Sequence, residues 1–334
     1  EENVFRNWDL DSSSLNNYDS LISQITELGV TTLLIQFNYG FFKFDLFNRF
    51  LDKIFQNKVK VIITLHSTID PDTPDKKLID LKDNLNKCDR LLVHSISDLN
   101  RLKVLGIVDN VTLINHPILH SGNFKLNTFT HINRSIKGFF KASYKIATFG
   151  YCLPNKGFEQ LLHSISQLRL RNYPIELTLY ASIYSDHYKW YLDTLNELLI
   201  SLNISDCVTF NNNFLTDQQV LSKLSGNDLL VFPYQLSNES SSASIRYGLA
   251  SGVPILVTPS PIFEDVDNYV SKTSGFSSDD IAQGIVEFYD AHQKRNEHNK
   301  KLEMNQRKEF IEYNSYSNYS LRLQSMIRGI ENNT

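Results

Sequence analysis

The sequence predicts an α/β protein of two Rossmann-like lobes, with a cleft between them and a C-terminal helix that packs back on the first lobe. Three observations carry this. At 334 residues the chain is too long for one ordinary α/β core, so two domains are expected. Short β-branched runs alternate with amphipathic stretches, the rhythm of βαβ units whose parallel sheet is covered on both faces. One irregular stretch, His116 to Tyr144, breaks that rhythm with Pro, Gly, Asn, Ser and basic residues and reads as an interdomain connection.

The first series has strands at Thr31–Phe37, Val59–Leu65, Arg90–His94 and Val111–Ile114. Amphipathic helices are read near Asp45–Gln56, Pro74–Lys87 and Ser97–Leu105, the last with Asp98 early in it and Gly106 as a C-cap. The second series starts with strand Lys145–Phe149, a loop to Asn155 and helix Gly157–Leu170. It continues with strand Ile175–Tyr180, helix Tyr188–Leu202, strand Cys207–Phe210 and helix Asp217–Leu224. Strand Asp228–Phe232, a polar loop, helix Ser241–Ala250 and strand Val253–Val257 complete it. From Ile281 to Ile330 the chain reads as helical, and Tyr319, Leu321, Leu323, Met326 and Ile327 give its last segment an apolar face. The expected division is 1–140, 141–305 and a returning helix over 306–334. Only half of the first lobe's leading strand–loop unit is visible and residue 1 is Glu, so upstream sequence is expected.

Composition narrows the function. With 41% hydrophobic and 21% charged residues the chain is globular, and a net charge of −4 offers no general nucleic-acid surface. Cys88, Cys152 and Cys207 lie far apart without a C-x-x-C pair, which argues against a zinc site or a disulfide framework and suits a reducing cytoplasm. No apolar run approaches the roughly 20 residues that span a bilayer, and no signal peptide is visible.

In open α/β sheets ligands bind beyond the carboxyl ends of the strands. Three polar segments lie there. Gly150–Gly157 places Lys156 at the start of a helix, an arrangement suited to a diphosphate; a solvated loop lysine explains it equally well. Pro233–Pro254 carries Glu239, then Ser240, Ser241 and Ser242, whose amides can cap a helix or hold an anion; a lone carboxylate there is often only a cap. His66 ends one first-lobe strand, while Gln36, Asn38 and Tyr39 end its neighbour with side chains able to bind sugar hydroxyls or simply to line a polar loop. Asp70-Pro71-Asp72 reads as a turn rather than a metal-binding carboxylate pair.

These segments resemble the family-4 retaining glycosyltransferases of the GT-B fold. The resemblance covers most of the chain and is strongest from Lys145 to Val257, in "FGYCLPNKGFEQLLHSI", "NDLLVFPY", "ESSSASIRYGLASGVPILVT" and "FEDV". It is weaker in the first lobe, where "TLH" and "LLVHSISDLNRLKVLG" carry it. It implies that Lys156, with Gly150 and the Ser240–Ser242 amides, holds the donor diphosphate, that Glu239 touches the donor sugar, and that His66 lies near the reacting sugar. The first lobe would serve the acceptor and the second the donor. Two positions depart from the pattern: Tyr247 stands where a ribose-gripping Glu is expected, and Tyr151 where an Arg often assists the Lys. Arg246 is then the candidate replacement cation.

The resemblance implies metal-independent transfer of a hexose from a nucleotide sugar, with retention, to a glycan or lipid-linked acceptor. No cofactor is expected beyond the donor, which leaves as a nucleoside diphosphate. The implied setting is polysaccharide biosynthesis in the cytoplasm at the inner face of the membrane, with no nucleic-acid partner. The rival reading is a glycosyltransferase-like binding module that has lost catalysis, supported by Tyr247 and Tyr151. A sugar-phosphate epimerase on the same fold fits the motifs less well.

Overall fold

The computed structural model describes Val4 and residues 18–119, 143–294 and 297–332; most of the expected connection from His116 to Tyr144 therefore lies outside the described residues. The chain forms two compact units. One takes the described residues up to His116 together with Asn238–Ser241 and the chain from Ser320 onward, and the other takes the rest.

In the first unit, β1 (Thr32–Phe37), β2 (Lys60–Leu65), β3 (Arg90–Val93) and β4 (Val111–Leu113) form a parallel sheet in sequence order. Helix α1 (Asp19–Glu27), which the sequence reading missed, precedes β1, and α2 (Phe44–Gln56) follows it. The core is unusually aromatic: Phe37, Phe42, Phe44, Phe47 and Phe50 form a chain of ring contacts, with Phe37 and Phe42 stacked at 5.6 Å. Such rings bury a large apolar area each, so this face of the sheet is well anchored behind the strand ends.

The expected helix Pro74–Lys87 is instead a 3-10 turn, Leu78–Leu81, followed by the short α3 (Lys82–Lys87). The physical reason lies upstream. Asp70 Oδ1 accepts the Leu78 N–H at 2.8 Å and Lys77 Nζ donates to the Pro71 carbonyl at 3.0 Å, which ties 70–78 into a turn. Asp70 is thus structural. Helix α4 (Ile96–Val104) starts at a full capping box, Ser95 and Asp98.

The second unit has β5 (Tyr144–Tyr151), β6 (Ile175–Ser182), β7 (Val208–Asn211), β8 (Leu229–Phe232), β9 (Ile255–Val257) and β10 (Ser271–Lys272) in the order β10-β9-β8-β5-β6-β7. Every pairing is parallel. The order runs outward in both directions from β5 and β8, so their carboxyl ends form the topological switch point, the position where open sheets take ligands. Helices α5 (Phe158–Leu170), α6 (Lys189–Ser201), α7 (Asp217–Leu224) and α8 (Ala243–Ser251) connect the strands. Helix α8 ends in Gly252 at φ 76°, and the Arg307 guanidinium donates to the carbonyls of Gly248, Leu249 and Val253 there.

The helical tail consists of α9 (Ser278–Lys294), α10 (Glu297–Tyr313) and α11 (Tyr316–Asn332). The end of α11 returns to the first unit as expected: Glu331 accepts hydrogen bonds from the hydroxyls of Thr31 (3.0 Å) and Thr32 (2.8 Å). Among the described residues no helix is long and apolar enough to cross a membrane.

Candidate functional site

In the second unit the two donor-type segments meet at the switch point. Strand β5 extends to Tyr151, and Pro154–Lys156 then form a 3-10 turn before Gly157, at φ 71°, starts α5. Only glycine serves at 157: a Cβ there would lie 1.8 Å from the Pro233 carbonyl oxygen, just after β8. The Gln235 N–H donates to the Asn155 carbonyl at 2.9 Å, fastening the two loops to each other. Lys156 is buried between them at 6% exposure, its Nζ 4.0 Å above the Tyr234 ring centroid. This is no solvated surface lysine; the ammonium is held at the carboxyl ends of β5 and β8. A Cβ on Gly150 would approach the hydroxyls of Ser244 and Tyr234 to 3.3 Å, so the backbone runs close to the first turn of α8.

Helix α8 begins two residues later than expected, at Ala243. Ser242 is its N-cap and accepts the Ile245 N–H through Oγ. Arg246 does not offer the free positive charge the sequence invited: it is 3% exposed and ion-paired with Asp265, itself 3% exposed. Two desolvated opposite charges answer each other, leaving little field for a ligand. Asp265 belongs to the "FEDV" segment, so that motif's acid serves α8. Tyr247 packs edge-on against Phe149 at 5.1 Å and donates its hydroxyl to Asp217 Oδ1 at 2.7 Å. Burial and then the Asp217 carboxylate hold the phenol well above its usual pKa, so it stays a donor. A Tyr–Asp pair thus stands where the resemblance expects a single Glu.

In the first unit the expected sugar-side residues gather at the carboxyl ends of β1 to β3. His66 follows β2 and contacts two further imidazoles, His94 at 5.3 Å and His116 at 6.4 Å between ring centroids. Among the described residues no His, Cys, Asp or Glu group is arranged to hold a metal ion. Burial, then the neighbouring His94, pushes the His66 pKa down to about 4, so the ring is neutral at pH 7. Its tautomer is assigned from the hydrogen bonds. Gln36 Nε2 donates to Thr64 Oγ1 at 3.5 Å, which turns Oε1 toward His66 Nε2 at 2.7 Å. A carbonyl oxygen only accepts, so Nε2 carries the proton and Nδ1 is left as an acceptor.

The residues read as acceptor-binding each have a local partner. Gln36 orients His66, and Asn38 Oδ1 accepts the Gly40 N–H at 3.0 Å to make a turn. Tyr39 is buried at 7% exposure with its hydroxyl donating to Asp70 at 2.9 Å.

Glu239 is exposed, but the residues on either side of it are fastened to the His66 segment. Ser67 Oγ donates to the Asn238 carbonyl, and the Ser240 N–H donates to the His66 carbonyl at 3.1 Å. The Ser240 amide is therefore committed to protein rather than offered to phosphate. Ser240 Oγ donates to Asp98 at 2.9 Å, and Ser241 ends the segment. His66 and Glu239, far apart in sequence, thus lie on adjoining backbone segments. Asp98 was read only as an early helix residue, and Ser67 and Thr68 were not read as site residues. The Ser95-x-x-Asp98 spacing signals a capping box, but nothing local signals partners 30 and 142 residues away.

In shape the chain is similar to a glycosyltransferase from Rickettsia africae, with a TM-score of 0.76 at 14% identity over 99% of this chain and 85% of that one. It is similar to Anabaena HepE, solved in complex with UDP, at a TM-score of 0.69 and 13% identity, covering 92% and 82% of the two chains. A trehalose-6-phosphate synthase studied for glycosyltransfer with retention gives 0.69 and 12%, covering 96% and 81%. No protein-family model matches the sequence, and no curated protein matches it. These likenesses show the fold: two Rossmann-like lobes of the GT-B type.

Proposed function

We propose that this chain is a retaining, metal-independent hexosyltransferase that moves a sugar from a nucleotide donor to a glycan or lipid-linked acceptor. The observation that carries the reading is Lys156, a buried cation seated on Tyr234 at the β5/β8 switch point. A buried ammonium beside the start of a helix suits a diphosphate leaving group: it meets the charge that develops as the glycosidic bond breaks and need not reorganise to do so. Glu239, an exposed carboxylate on an anchored segment, takes the hydroxyls of the donor sugar. His66, neutral with Nδ1 as an acceptor, takes a further hydroxyl near the reacting carbon. Support comes from the neighbours' chemistry, UDP bound by HepE and retention studied in trehalose-6-phosphate synthase. The setting that follows is glycan assembly in the cytoplasm, at the inner face of the membrane.

A non-catalytic glycosyltransferase-like module is the second reading. The Arg246–Asp265 pair favours it, because a cation that could assist Lys156 is already neutralised. Thermal stabilisation by UDP-, GDP-, ADP- and CMP-sugars decides between them, since a ligand that binds only the folded state raises the melting point. The transferase responds to one nucleotide class, GDP-mannose being one arm of the screen, and loses the response in Lys156→Ala. A response equally strong in Lys156→Ala and Glu239→Ala removes these residues from the site, and no response to any class favours the module.

A further inference from the structure

Asp98 has no accessible surface, yet it carries more hydrogen bonds than a helix cap uses. Its Oδ2 accepts from the Ser95 N–H (3.2 Å) and Ser95 Oγ (2.7 Å), which completes the capping box of α4. That alone satisfies the cap. Its Oδ1 accepts three more: Thr68 Oγ1 at 2.6 Å, Arg101 Nη2 at 2.7 Å and Ser240 Oγ at 2.9 Å. Thr68 lies two residues beyond His66, and Ser240 lies next to Glu239. One carboxylate oxygen therefore ties together the two segments that bear the proposed sugar-contacting residues. Two backbone-directed hydrogen bonds run beside it, Ser67 Oγ to the Asn238 carbonyl and the Ser240 N–H to the His66 carbonyl.

We infer that Asp98 is a positioning residue that holds Glu239 in register with His66 through Ser240 and Thr68. Burial alone would favour the neutral acid, but the hydrogen bonds from Thr68, Ser95, Ser240 and Arg101 outweigh it and keep the carboxyl below its usual pKa. The anchor is thus a charged acceptor, to which neutral donors bind about twice as strongly as to a neutral one. Arg101 Nε also donates to Thr68 Oγ1 at 2.7 Å, orienting that hydroxyl's proton toward Asp98. Glu239 itself, between two fastened neighbours, is exposed.

The functional part rests on the proposed donor reading, so the test has a ligand-free arm. Hydrogen exchange at the Ser240 amide reads the anchor directly. Protection in the wild type should fall at least about tenfold in Asp98→Asn and in Ser240→Ala, with the amides of β2 unchanged; equal protection at Ser240 in the folded variants overturns the inference. The second arm compares affinities for the nucleotide sugar that stabilises the wild type and for its nucleoside diphosphate. Ser240→Ala should weaken the sugar nucleotide roughly tenfold while changing the diphosphate less than about twofold, and Ser240→Thr should restore the difference. Parallel loss of both ligands contradicts positioning of Glu239. Loss of Ser240 protection in a chain that binds no nucleotide sugar upholds the anchor and refutes the donor reading instead.

Discussion

The two units hold their polar residues at the strand ends by opposite means. In the first, side chains hold one another: Gln36 sets His66, and Asp98 gathers Thr68, Arg101 and Ser240. In the second, backbone and rings do the work. Gly157 lets its loop pass against Pro233, Tyr234 seats Lys156, and the Arg246–Asp265 ion pair is buried. A fixed anion-binding cation needs a rigid seat, which backbone contacts give. Recognition of hydroxyls needs oriented donors and acceptors, which a side-chain network gives.

The contrast breaks most severely at Gly157. In Gly157→Ala the new methyl meets a backbone carbonyl, and the residue must also hold a positive φ. A loss of roughly 4 kcal/mol or more is expected, read from the urea midpoint, with a side-chain substitution elsewhere in the loop costing far less. Asp98→Asn removes the charge that five donors share while keeping the shape, and should cost about 2 to 3 kcal/mol in the same measurement.

Most of the architecture was legible because periodicity reports burial locally. Strands β1 to β9 fall within about two residues of the runs read from sequence. Helix α1 was missed because nothing distinctive marks its start; Tyr18 makes no side-chain cap. The Pro74–Lys87 stretch misled because hydrogen bonds to Asp70 and the Pro71 carbonyl upstream, not its own periodicity, set the chain direction there. The places of Lys156, Glu239 and His66 just beyond strand ends were readable from order and spacing; their roles are proposals. The fate of Arg246 was not, since only the fold brings Asp265 to it, and the same holds for Asp98 with Ser240. Long-range polar pairs leave no period in a sequence.

Lys156→Ala should weaken a nucleoside diphosphate by about 10- to 100-fold, near 1.4 to 2.7 kcal/mol, by calorimetry, because the helix start remains but its cation is gone. The pH dependence separates the units further. His66 in the folded chain titrates near 4 rather than 6.5, so its contribution is full above pH 6.5 and is lost as the pH falls toward 4. Thermal melts of His66→Gln should show a shallower decline over that range than the wild type; an identical decline would remove His66 as its source. The smallest effect is at Tyr247→Phe, which removes a hydroxyl from the exposed Asp217 and should change stability by about 0.5 kcal/mol or less. An effect several times larger would mean that the pair does more than fill the position of a Glu.

The account stands most directly on what happens to a nucleotide sugar in the absence of acceptor. Slow hydrolysis of the donor that stabilises the chain, followed by proton NMR, reports both the bond broken and the configuration of the released sugar. The prediction is release of nucleoside diphosphate with the first-formed sugar in the donor's own anomeric configuration, with no release in Lys156→Ala. An inverted first product, or a folded wild-type chain that binds the donor and leaves it intact with every acceptor glycan tried, would contradict it.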